Sequence, residues 1–385
     1  MFDLPPSIRT ANGLPRRVGV EVEFMGPGVR EAARILAASL GGIVIEEDPH
    51  AVTIRGTRLG DLTVELDLRH AHPQRHGRTL PVRLGRRSAA LLGFALGRVV
   101  PRELITAPLP LNRLGDLTVE LDLRHAHPQR HGRTLPIRLG QRSAALLGFV
   151  LGGVVPRELI TAPLPLDRLD EVDGAIAMLR HGGATGRGAV RPGSSQLGSL
   201  GLHFNVDVPE LTIETILAHL RAFMLLDPWL RTTSFATRNE RVTAPPDFPE
   251  EYTRLVLSPD YRPDLADFSD DYLAANPTRD RALDLLPLLL HLDGPRVRRR
   301  LPREKISARA VFHYRLPQAH VGDAGWSIAP DWNRWTVVER LAADHERLSE
   351  LSLAWLLFKG EAGAGAWIAR PSAPPQSIVL DSTTA

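Results

Sequence analysis

Between Arg17 and Phe24 every second residue is apolar (Val18, Val20, Val22, Phe24), with Glu21 and Glu23 among the alternate positions, a spacing that predicts a half-buried strand. Gly26–Pro27–Gly28 then turns the chain into a helix with the apolar stripe Val29, Ala33, Leu36 and Leu40, closed by Gly41–Gly42. Strands are expected at Ile43–Glu46, Val52–Arg55 and Leu62–Arg69, the last setting Val64, Leu66 and Leu68 against Glu65 and Asp67. Leu169, Val172, Ile176 and Leu179 mark a second amphipathic helix. A glycine-rich loop, Gly182–Gly201, leads into a strand with Leu202, Phe204 and Val206 on one face and His203, Asn205 and Asp207 on the other.

The next predicted helix covers about Thr212–Asp227, and Ala244–Pro263 reads as a Pro-rich surface loop. An apolar helix, capped by Thr278 and kinked at Pro287, is expected through Leu292. Ala310–Leu316 reads as a strand. One long helix then begins near Asp331, with Trp335, Val338, Leu341, Leu348 and Trp355 on its inner side. Strands and helices mix without a strict βαβ rhythm, which favours an α+β fold.

Residues 58–112 recur as 113–167, with 50 of 55 positions identical. Solenoids show several diverged repeats, so two near-identical copies indicate a recent duplication inside one domain. Only one copy can occupy a given place in a sheet. The chain before the first copy runs directly into RLGDLTVELD, and the second copy's PRELITAPLPLD runs directly into a helix. The economical arrangement uses the head of copy one and the tail of copy two.

Composition narrows the picture. The absence of cysteine excludes disulfides, thiolate ligands and a cysteine nucleophile, and fits a reducing, cytoplasmic setting. No signal peptide is expected at the N-terminus, and the most apolar stretch, Ala282–Leu292, is too short to span a bilayer. The formal net charge is only +3, and the basic run Arg296, Arg298, Arg299 and Arg300 lacks an aromatic stacking platform. It reads as a solvated loop, with no nucleic-acid or membrane partner implied.

Each acid-bearing strand alone is an ordinary sheet segment with one wet face. Together, Glu21, Glu23, Glu65, Asp67 and the His203/Asn205 pair could line one concave face. Carboxylates gathered there would need cations, and Mg²⁺ favours carboxylate oxygens plus phosphates. The clusters His70/His72/His76 and His125/His127/His131 have metal-like spacing, but the duplication doubled them automatically, and they read as plain loop. No GxxxxGK[ST] P-loop and no GxSxG elbow is present.

The segments GVEVEF (19–24), VELD (64–67), PRELITAPLPLDRL (156–169) and GLHFNVD (201–207) resemble the amidoligase family, distant relatives of glutamine synthetase and glutamate–cysteine ligase. NPTRDRALDLLP (276–287), FHYRLPQ (312–318) and WNRWTVVERLA (332–342) extend the resemblance in order along the chain. It implies one catalytic domain over 17–345, interrupted by the duplication, followed by a partly loose extension over 346–385. It further implies a curved, mainly antiparallel, glutamine-synthetase-like sheet with helices packed on one face and ATP and Mg²⁺ or Mn²⁺ on the other. The implied activity is ATP-dependent ligation of a carboxylate to an amine, giving an amide or isopeptide bond through an acyl phosphate. Small-molecule, amino-acid or peptide substrates are expected.

Carried over by position, the resemblance makes Glu21, Glu23, Glu65 and Glu158 metal ligands and has His203 and Asn205 face the nucleotide. Arg315, Glu339 and Arg340 become the catalytic candidates, with Arg315 steadying the phosphoryl group. The residues alone leave other readings open. Glu158 could form a structural ion pair, Arg315 could bridge carboxylates, and His203 could be a hydrogen-bonded sheet residue. At the level of the whole protein, the duplication could have left a non-catalytic nucleotide- or peptide-binding protein.

Overall fold

The computed structural model describes residues 1–48, 50–66, 118–120, 136–138, 156–184, 200–235 and 244–362. The fold is α+β. Strands β1 (Arg17–Phe24), β2 (Ile43–Asp48), β3 (Ala51–Thr57) and β4 (Gly60–Leu66) come from the first part of the chain. Two short strands, β5 (Thr118–Glu120) and β6 (Pro136–Arg138), pair only with each other. Then follow β7 (Arg157–Thr161), β8 (Leu164–Pro165), β9 (Leu200–Asp207), β10 (Leu283–Asp284), β11 (Val311–Tyr314) and β12 (Gln318–Ala319).

The main sheet is open and runs β10-β11-β9-β1-β7-β4-β3-β2, with β8 added to β1 and β12 to β9. Its ladders are antiparallel throughout. Strand β4 comes from the first repeat copy and β7 from the second, the arrangement the chain context predicts. Asp67, both histidine clusters and residues 185–199 of the glycine-rich loop lie outside the described residues.

The alternation read in the sequence is realised. Val18, Val20, Val22 and Phe24 are fully buried, as are Leu202, Phe204 and Val206 of β9. Burying each such side chain contributes about 1.5–3 kcal/mol. Helix α1 (Val29–Leu40) covers this face at β3 and β4 through Ala33 and Leu36. Its end requires glycine: Gly42 has φ +96°, and a Cβ there would lie 2.7 Å from the Arg55 carbonyl oxygen. Helix α2 (Leu169–His181) packs beside α1.

Helix α3 (Ile213–Ser234) runs beyond its predicted end, through Pro228. The stretch read as loop contains α4 (Glu250–Leu257), whose Tyr252, Val256 and Leu257 are buried. Helix α5 (Leu265–Ala275) follows. The apolar helix expected from Thr278 is only α6 (Leu286–Leu292), with Pro287 in its first turn, where no amide hydrogen is needed and no kink results. The arginine run is helical, α7 (Gly294–Arg300), and Arg296 pairs with Asp293 and Asp270. The long terminal helix is two, α8 (Ala329–Ala343) and α9 (His345–Ala362), divided at Asp344, whose side chain accepts from the Arg347 amide. Trp332 and Trp335 of α8 pack on Phe204 and Tyr314, with ring centroids 5.7 and 5.3 Å apart. No helix among the described residues is long and apolar enough to cross a membrane.

Candidate active site

The opposite face of the sheet carries the acids. Glu23 of β1, Glu158 of β7 and Glu65 of β4 are direct cross-strand partners, so three carboxylates form one row over three adjacent strands. Directly opposed residues of an antiparallel pair have Cα atoms about 4.5–5.5 Å apart, and their side chains project from the same face. The register therefore brings together acids that lie 42 and 93 positions apart in sequence (Glu23 to Glu65, and Glu65 to Glu158). Ile160, which shares the face of Glu158, sits opposite Glu21 in the next row.

Glu21 is held at both oxygens. Asn205 Nδ2 donates to Oε1 at 2.8 Å, and His203 Nδ1 lies 3.0 Å from Oε2. A carboxylate only accepts, so Nδ1 carries the ring proton. Arg309 approaches Oε1 at 3.6 Å and His313 Nε2 approaches Oε2 at 3.8 Å. Burial alone would raise the Glu21 carboxyl, but the imidazoles of His203 and His313 outweigh it and hold the group well below the usual carboxylate range. Burial likewise lowers His203 to about 3, against the pull of Glu21 and with help from the charge of Arg315. At pH 7 that ring is neutral, so its hydrogen bond rather than a charge supports Glu21.

Glu23 is placed by backbone. The Gly201 amide donates to its Oε2 at 2.8 Å. At the other end of the cluster, fully buried Asp284 accepts from Arg279 Nε at 3.1 Å and faces His313 Nδ1 at 3.3 Å. Burial would raise Asp284, yet His313, Arg279 and Arg315 bring it down to about 2. The side chain of Arg315 donates to the Arg279 carbonyl, and its own amide bonds Ala282, which fixes it beside Asp284.

The structure thus brings together Glu21, Glu23, Glu65, Glu158, His203, Asn205 and Arg315. It does not bring Glu339 or Arg340 to them. Glu339 is buried on the helical side of the sheet, where Arg16 binds both its oxygens at 2.7 and 2.8 Å and Trp335 Nε1 donates at 2.7 Å. Arg340 pairs with Asp3 at 3.0 Å. Both were candidates through the family resemblance, and a helix position does not say which layer it faces; in the structure their partners are Arg16, Trp335 and Asp3.

Four further residues belong to the cluster: Arg279, Asp284, Arg309 and His313. One signal for His313 was present in the sequence, since it lies two residues before Arg315 and therefore on the same face. Asp284 was hidden inside an apolar run. An arrangement of oxygen ligands flanked by arginines and imidazoles can bind divalent cations and hold anionic phosphoryl oxygens.

The family model described as "Putative amidoligase enzyme" matches residues 14–337. Among curated proteins and among solved structures, none matches the chain. With five-sixths of its length matched, and its acids on one face of an open antiparallel sheet, the chain belongs to the amidoligase family.

Proposed function

We propose that the protein is an ATP-dependent carboxylate–amine ligase that uses Mg²⁺ or Mn²⁺ and forms an amide or isopeptide bond through an acyl phosphate. The observation that carries this reading is the row Glu23–Glu158–Glu65. Three adjacent carboxylates repel one another and lose hydration unless a cation offsets them. All-oxygen ligands suit Mg²⁺, which commonly bridges carboxylates to nucleotide phosphates.

ATP supplies the leaving group that a carboxylate lacks. The substrate carboxylate oxygen attacks the γ-phosphorus and ADP departs. The amine nitrogen then attacks the acyl carbon, phosphate leaves and the nitrogen gives up a proton. Arg315 and Arg309, beside Glu21 and Asp284, are suited to stabilise charge on the transferring phosphoryl group. One row is built from both repeat copies, so the duplication removes no acid from it. The substrates are of the small-molecule, amino-acid or peptide class.

Thermal stability measured with and without ATP–Mg²⁺ tests the reading. Ligand at 100 times its dissociation constant adds about 2.7 kcal/mol. The expected result is nucleotide-dependent stabilisation in the wild type that is lost in Glu158→Gln. A wild type indifferent to ATP–Mg²⁺ would overturn the proposal.

A further inference from the structure

The strand beyond Gly201 carries a polar group that the carboxylate row leaves unused. Gln318 of β12 pairs with Gly201 of β9, the residue whose amide holds Glu23 of β1. Directly opposed residues of an antiparallel pair project from the same face, so Gln318 stands on the acid face, two strands and about 9–10 Å from Glu23. Only glycine lies between them. A Cβ at position 201 would press on His203 Nε2 and Glu23 Oε1, at 2.8 and 2.9 Å, which places that side of Gly201 among the acids.

Gln318 is 1 % exposed. Its Nε2 donates to the Leu316 carbonyl at 3.2 Å. A carbonyl only accepts, so this bond fixes which end of the amide is nitrogen and turns Oε1 the other way. Oε1 is buried and has no hydrogen-bond partner. Such an acceptor is a standing cost to the fold unless a bound molecule meets it. The backbone beneath it is tied down, since the Leu202 amide donates to the Pro317 carbonyl at 3.1 Å.

The missing partner is defined by what Oε1 can do. An amide oxygen accepts hydrogen and repels anions, so it serves neither a carboxylate nor a phosphoryl group. The cations suited to those, Arg279, Arg309 and Arg315, gather instead around Asp284 and Glu21. Asp284 and His313 are in register with Asn205, four residues along β9 from Gly201 and about 13 Å away. The anion-binding and hydrogen-accepting ends of β9 are therefore separate.

We propose that Gln318 forms the subsite for the amine nucleophile, its Oε1 accepting one N–H of an uncharged primary amine. The proposal rests on the ligase reading and adds to it the side from which the amine enters. With one hydrogen bound to Oε1, the nitrogen lone pair can face an acyl phosphate formed over the Glu23–Glu158–Glu65 row. That lone pair forms the C–N bond, the bond from the acyl carbon to the phosphate oxygen breaks, and one hydrogen of the nitrogen leaves with the phosphate as a proton.

The test uses the full-length protein with ATP–Mg²⁺, a mixture of the common L-amino acids as carboxylates and hydroxylamine as the amine. Hydroxamate formed and ADP released are both measured. Gln318→Met keeps the volume and removes the acceptor. In this variant the KM for hydroxylamine should rise about 10-fold, the scale of one lost hydrogen bond, and hydroxamate per ADP should fall because water takes the acyl phosphate instead. The KM for ATP should not change. A merely structural Gln318 would shift both constants or neither. Should Gln318→Met fail to fold, Gln318→Asn withdraws the same oxygen by one methylene and gives the same comparison. An unchanged KM for hydroxylamine, or a rise in the KM for ATP instead, would overturn the proposal. A wild type that releases no ADP defeats the ligase reading and this subsite with it, whereas equal hydroxamate formation by wild type and variant defeats the subsite alone.

Discussion

Gly201 and Glu23 are locked together: the glycine amide holds one carboxylate oxygen at 2.8 Å, while a Cβ on the glycine would lie 2.9 Å from the other. The same Cβ would lie 2.8 Å from His203 Nε2. Both neighbours are ends of side chains that can swing away. Gly201→Ala should therefore displace Glu23 and His203 while costing little stability. We expect at least about a 10-fold loss of ATP-dependent phosphate release, corresponding to roughly 1.4 kcal/mol of lost transition-state stabilisation, with a nearly unchanged urea midpoint. Full activity in the variant would show that neither group needs its present position.

Glu339 should behave as a structural residue. Its partner Arg16 is 1 % exposed, and removing one member of a buried ion pair strands the other charge. Glu339→Ala is expected to lower unfolding free energy by about 3–5 kcal/mol, read by urea denaturation. Nucleotide affinity per folded molecule should be unchanged. A stable variant with selectively lost activity would return Glu339 to the catalytic list.

A buried carboxyl gives stability a pH dependence. Burial raises Asp331 to about 6, against the attraction of Arg334, which it binds at 2.6 Å. The native state thus holds this proton more tightly than the unfolded chain, whose ordinary value is 3.8. Stability from this group is full below 3.8 and is lost as pH rises to 6, by about 3 kcal/mol. Asp331→Asn keeps an acceptor for Arg334 and has no proton to lose. The difference in unfolding free energy, variant minus wild type, should rise from pH 4 to pH 7 and then level off. A difference that is flat with pH would contradict the assignment.

Deleting Ser88–Arg142 removes one repeat length and keeps both β4 and β7. Shortening the connection between these strands by 55 residues changes the loop-closure cost by only about 1 kcal/mol. The deletion should fold cooperatively and retain nucleotide-dependent stabilisation. An unfolded product would mean that the removed segment contributes to the core.

Much of the site was visible in alternation, because a two-residue period assigns faces without knowing neighbours. That period put Glu21, Glu23, Glu65, His203 and Asn205 correctly on the face opposite the apolar core, although Glu23, His203 and Asn205 are buried there rather than wet. It does not give register. Glu158 therefore looked ambiguous until β7 was placed between β1 and β4, opposite Glu23 and Glu65. Pairings across long separations were equally hidden: nothing near Glu339 announces Arg16, 323 positions away. Asp284 sits in a two-residue strand, too short to produce a period, and the leucines around it mimic a helix. The breaks at Pro287 and Asp344 depend on capping geometry rather than hydropathy.

The residues of β4 occur twice, since GDLTVEL stands at 60–66 and again at 115–121. Side-chain chemistry cannot choose between the two as a neighbour for β7. Proximity can. The first is joined to β3 by a tight reversal at Arg58–Leu59, whereas the second would have to bridge some 57 residues, a disadvantage of about 3 kcal/mol in chain entropy. Identical substitutions at Glu65 and Glu120 should thus be unequal in effect, because connectivity alone has given one copy the place beside β7 in the main sheet.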